Sequence, residues 1–200
     1  MSILLPAALG AWHFKLRDVK DGIMSRSSTS PQTGGSNIPD AGSLPSRLQS
    51  SVVLTGWLAL CFSAASLGAF FMPGEWYATL KKPSWNPPGW IFGPVWSALY
   101  TMMAMAAWLV WRRGGFATQR KPLVIFLVQL ALNAGWTPLF FGLHSPGLAF
   151  AEIVLLWLAI AATILAFRPV SRTAMLLFVP YQVWVSFAAA LNFALWRLNS

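Results

Sequence analysis

PGLAFAEIVLLWLAIAATILAF, residues 146–167, holds a single ionisable side chain, Glu152, in an otherwise apolar run. At about 1.5 Å of rise per residue, a helix of this length crosses the ~30 Å hydrocarbon core of a bilayer. Four more runs of similar length flank it, at 52–72, 90–111, 122–141 and 174–196. Pro122 and Pro146 stand in the first turn of their runs, where a missing N–H costs a helix little. The links are short except for the first, PGEWYATLKKPSWNPPG (73–89), whose Pro and Trp content marks it as more than a spacer. Long connections of this kind are often functional.

The composition agrees with membrane spans. Of the 200 residues, 56% are hydrophobic and 10% charged, against about 25% charged in soluble domains. A water-soluble chain this short could not hide so much apolar surface, and the same hydrophobicity excludes disorder for the bulk of the chain. The acids Asp18, Asp21, Asp40, Glu75 and Glu152 face fourteen Lys and Arg. Those bases are not gathered into a stripe, so no nucleic-acid partner is expected. They lie between the apolar runs, as in membrane proteins. One cysteine, Cys61, excludes an internal disulfide and any multi-cysteine metal site. No histidine pair, and no histidine with acids at ligand spacing, suggests a metal. His144 reads as a solvated loop residue. The fold class is therefore all-α integral membrane, a bundle of five transmembrane helices over 51–200. Residues 1–50, rich in Ser, Pro and Gly from 24 onward, read as a disordered tail.

Lys and Arg in short loops set orientation. One side holds Arg47, Arg112, Arg113, Arg120, Lys121, Arg168 and Arg172; the other holds Lys81, Lys82 and Arg197. The N-terminus is expected inside, and loop 73–89 outside. Counting from the outer face places Trp96 and Glu152 roughly 9 Å deep and Asn133 roughly 12 Å deep. Trp184 falls nearer the midplane. Helical spacing puts Gln129, Asn133, Trp136, Thr137 and Phe140 on one face, Trp96, Tyr100 and Met103 on another, and Tyr181, Trp184, Ala188 and Asn192 on a third. Polar groups in lipid turn inward. Apolar walls with a few such groups describe a site for a flat, largely apolar ligand, with the Trp-rich loop as its lid. The same residues also fit plain interhelical packing. Glu152 is a functional candidate because it is an intramembrane acid. Trp57, Trp108, Trp111 and Trp196, near run ends, read as interfacial anchors.

Three stretches carry a resemblance. WYATLKKPSWNPPGWIFGPVWSALY (76–100), ALNAGWTPLFFG (131–142) and VPYQVWVSFAAALNFALWRLN (179–199) resemble, in order, the TspO/MBR family of tryptophan-rich sensory proteins, relatives of the mitochondrial translocator protein. The resemblance spans about 52–199. It implies a five-helix bundle, often a homodimer, that binds porphyrins such as protoporphyrin IX, with no cofactor of its own and the lipid bilayer as its surroundings. By motif, the ligand-binding residues would be Trp76 and Tyr77 in the lid, Trp96, Asn133 and Trp184, with Ala188 on the same wall. Asn133 would be the polar anchor, and porphyrin propionates would reach toward Lys81 and Lys82. Some members of the family promote light-dependent porphyrin breakdown, which makes Trp96 and Trp184 candidate electron donors. The alternatives are thus a porphyrin receptor or transporter, a light-dependent degrading activity, or a structural scaffold. The family's sterol pattern is broken here, since Phe193 stands between Leu191 and Arg197 where tyrosine is expected, so cholesterol is discounted.

Overall fold

The computed structural model describes residues 47–71 and 74–200. The tail expected over 1–50 lies outside the described residues except for 47–50, which open the first helix. Six α-helices follow: α1 (Arg47–Ala69), α2 (Glu75–Thr79), α3 (Phe92–Trp111), α4 (Gly115–Thr137), α5 (Pro146–Phe167) and α6 (Arg172–Leu198). No strand occurs among the described residues. Five helices, all but the short α2, are long and apolar enough to cross a membrane. The chain is a multi-pass membrane protein, because a helix is the element that satisfies every backbone group within one segment.

Local chemistry sets the helix ends. Gly114 holds φ at +119°, and a Cβ there would lie 2.6 Å from Thr118 Oγ1, so only glycine makes the turn from α3 into α4. The helix then bends at Gln119 (φ −107°, ψ 30°). Pro122 follows that bend, so it stands in the first turn of the helical segment beyond it even though α4 begins at Gly115. Pro146 opens α5 directly. The Ser171 hydroxyl caps α6 by accepting from Ala174 N–H at 3.2 Å. At the other end of α4, residues Pro138–Gly142 widen into a π-helical turn, with Leu143 N–H donating to Pro138 C=O at 2.9 Å.

The five long helices close a ring. α1 lies between α3 and α4, α3 meets α6, α6 meets α5, and α5 returns to α4. Towards the end rich in Arg and Lys, here the basic end, the ring is filled by aromatic side chains. Phe126, Phe167 and Phe178 pack on one another at 5.4–6.2 Å between centroids. Trp57 sets its edge on Phe126 at 5.4 Å and is 7% exposed. Its interfacial reading is therefore overturned: it shares the inward face of α1 with Cys61 and is core. Trp108 does sit at the basic end, where its Nε1 donates to Ser50 C=O at 2.9 Å under the Arg112 guanidinium.

Candidate functional site

Towards the opposite, lid end, the ring is not filled. A cavity of about 620 Å³ lies inside it, within the usual range for ligand pockets. Tyr77, Trp96, Asn133, Trp184 and Ala188 all line it, joined by Phe92, Trp136, Thr137, Phe140 and Phe141. Of the six residues expected at a ligand site, Trp76 alone is absent from the wall. Its ring stacks on His144 at 4.4 Å and meets Phe140 edge-on at 5.7 Å, so it supports the lid from behind.

The cavity floor is a polar node. The Tyr100 hydroxyl donates to Asn133 Oδ1, and Asn133 Nδ2 donates to the Tyr181 hydroxyl at 2.8 Å. One amide thus ties α3, α4 and α6 together, and both its polar ends are engaged. Trp96 lies over this node, 5.5 Å from Tyr100 and 6.2 Å from Tyr181 between centroids. On the wall, Trp136 Nε1 donates to Asn192 Oδ1 at 2.9 Å, and Asn192 Nδ2 donates to Pro146 C=O at 2.8 Å. Trp184 is different. Phe92 and Phe187 flank its ring at 5.8 and 5.5 Å, yet its buried Nε1–H has no partner among the described residues. An unpaired buried donor costs about 1–3 kcal/mol, and with almost none of its own surface accessible this one does not face the cavity.

The lid is the short helix α2 and the loop after it. Tyr77 presses edge-on against Phe140 and Phe141, and its hydroxyl donates to Asn86 Oδ1 at 3.4 Å. Burial pushes the Tyr77 phenol above its ordinary pKa, an effect the Asn86 bond partly offsets, so at neutral pH it is an uncharged donor. Lys82 Nζ caps α2, within 2.6 Å of Tyr77 C=O, 3.1 Å of Leu80 C=O and 3.3 Å of Ala78 C=O. With its three donors so engaged and the Tyr77 ring below at 4.6 Å, Lys82 does not reach out toward a ligand. Asn199 then pins the lid to the end of α6. Its side chain accepts from Lys81 N–H and donates to Lys81 C=O, both at 2.9 Å.

Phe92 was within reach of sequence reasoning, since it precedes Trp96 by four on the same helix face. Asn199 was not, because nothing in local spacing links it to Lys81. Glu152 is 9% exposed, and neither oxygen has a hydrogen-bond partner among the described residues. It is absent from the cavity wall, although Ile153 and Leu156 beside it are part of that wall. Among the described residues, no group of His, Cys, Asp and Glu could hold a metal ion.

Known proteins match over this same membrane region. The TspO/MBR family profile covers residues 57–197. Protein CrtK of Rhodobacter capsulatus is 46% identical over 147 residues, which is 72% of this chain and 90% of that protein. The tryptophan-rich protein TspO of Chlorobaculum tepidum is 47% identical over 146 residues, 71% of this chain and 92% of its own. The human translocator protein is 44% identical over 145 residues, 68% and 86% of the two chains.

Proposed function

The chain belongs to the TspO/MBR family, and from that premise we propose that it is a membrane receptor or carrier for porphyrins, with the ring held in the cavity beneath the lid. We place the basic end on the cytoplasmic side. The observation that carries the reading is the aromatic cavity whose polar groups are nearly all spent on one another. It offers flat apolar walls. A conjugated macrocycle supplies the matching faces. Stacking of a flat ring on aromatic side chains contributes roughly 1–3 kcal/mol per ring. Lys82 is taken up by the lid, so propionates project past the exposed Lys81 into the headgroup layer.

A second reading, light-dependent degradation of the bound porphyrin, is favoured by the indoles of Trp96 and Trp184, which line the cavity together with that of Trp136. Illuminating purified protein with protoporphyrin IX separates the readings. A bound spectrum that stays unbleached supports the receptor, and conversion to a new product supports the degrading activity. No bound spectrum at all would leave only a scaffold.

A further inference from the structure

We propose that the cavity opens sideways into the bilayer, through a slot between the lid-end halves of α1 and α3, and that its ligand arrives from the lipid rather than from under the lid. This rests on the ligand-binding reading of the cavity. On α3 the slot is edged by Gly93 and Ser97, one turn apart, and on α1 by Ala64 and Ala65; all four line the cavity. Small residues facing one another normally draw helices into close contact. Here they do not. A Cβ built on Gly93 would meet nothing within 4 Å among the described residues, and Gly93 and Ser97 are exposed as well as cavity-lining. The side of α1 towards α4 is closed by comparison, since a Cβ on Gly68 would sit 3.4 Å from Thr137 Oγ1. The two helices are tied at the basic end by the Trp108 bond to Ser50. Phe62, 41% exposed and tilted over Tyr100 at 6.2 Å, is the side chain that reaches across the gap.

The lid, by contrast, is fastened. Lifting it breaks the paired bonds between Lys81 and Asn199 and pulls Trp76 off His144. Swinging Phe62 aside needs a rotamer change alone. The species suited to such a route is a flat, lipid-soluble molecule whose charged edge trails at headgroup level, because the slot reaches the lid end at Gly89.

The test compares rates. In nanodiscs, quenching of tryptophan fluorescence by protoporphyrin IX is followed by stopped flow for the wild type, Gly93→Phe, Ser97→Leu and Asn199→Ala. The space at Gly93 lets the larger ring fold in, and Ser97→Leu serves if it does not. Each slot variant should slow association by about tenfold and also slow the washout of preloaded porphyrin, whatever change in affinity the added side chain in the cavity wall brings. Asn199→Ala should alter neither rate. Unchanged rates in the slot variants, or acceleration confined to Asn199→Ala, would overturn the proposal in favour of passage under the lid. A probe that needs no porphyrin separates this from the functional reading. Pyrene-maleimide dissolved in the bilayer should label Ala188→Cys, on a Cys61→Ser background, and Gly93→Phe should slow that labelling. Slot-dependent labelling without porphyrin uptake supports the portal and sinks the porphyrin assignment. Labelling indifferent to both slot variants sinks the portal whatever the porphyrin does.

Discussion

Replacing Asn133 by Leu separates its two possible roles. The side chains are similar in size, so the cavity outline is kept while the amide is lost. In the structure that amide joins Tyr100 on α3 to Tyr181 on α6. Hydrogen bonds between membrane helices contribute about 0.6 kcal/mol on average and up to about 1.7. Two of them make the expected loss of stability about 1–3 kcal/mol. Reversible unfolding in mixed micelles, titrated with dodecyl sulfate and read by circular dichroism, measures this directly. Porphyrin affinity should shift by less than about threefold, or under 0.7 kcal/mol, because both polar ends of Asn133 are already engaged. The reasoning is refuted if unfolding is unchanged while affinity drops tenfold or more. That result would make Asn133 the ligand's polar anchor, as its position in the sequence first suggests.

Trp184→Phe removes the unpaired N–H and keeps an apolar ring, so porphyrin affinity should fall by no more than about tenfold, equivalent to 1.4 kcal/mol. If the degrading reading holds, light-dependent bleaching collapses in that variant while Trp108→Phe leaves both properties intact. Asn199→Ala frees the Lys81 backbone, and limited trypsin digestion after Lys81 should quicken with no loss of helix content; equal digestion rates would mean that the clasp does not hold the lid. Ala117→Cys, on a Cys61→Ser background, lies exposed at the basic end and should resist impermeant thiol reagents in intact cells. Labelling there without permeabilisation would invert the proposed topology.

The spans were legible because a bilayer imposes one length on every crossing, and the five apolar runs all obey it. Facing residues were legible wherever the helix is regular: Trp96 with Tyr100, and Tyr181 with Trp184 and Ala188, follow from a period of 3.6. Partnerships were not legible. Asn133 and Asn192 look alike as inward amides, yet one joins two tyrosines and the other holds an indole and a backbone carbonyl. Their donors come from other helices, and sequence periodicity carries no information about what stands opposite. Trp57 was misplaced for a related reason. Its distance from the run end suits an interface, but its angular position on α1 turns it to the core. The π turn at 138–142 also left no mark, since PLFFG continues the apolar pattern unchanged. The short helix α2 was hidden inside a stretch whose prolines argue for loop.

The polar groups around the cavity are largely self-sufficient, and that sets what kind of discrimination the protein can achieve. A site that depends on its ligand to complete hydrogen bonds rejects an analogue lacking them by factors of about 10⁴–10⁵, whereas an apolar pocket separates neighbours differing by one methylene only about 10–200-fold. With Tyr100, Asn133, Tyr181, Trp136 and Asn192 already paired among themselves, this cavity sorts molecules by thickness and outline. On the proposed porphyrin reading, free-base porphyrins, their metal-inserted forms and unrelated planar aromatics of similar girth should compete on nearly equal terms, with abundance in the surrounding membrane deciding the occupant.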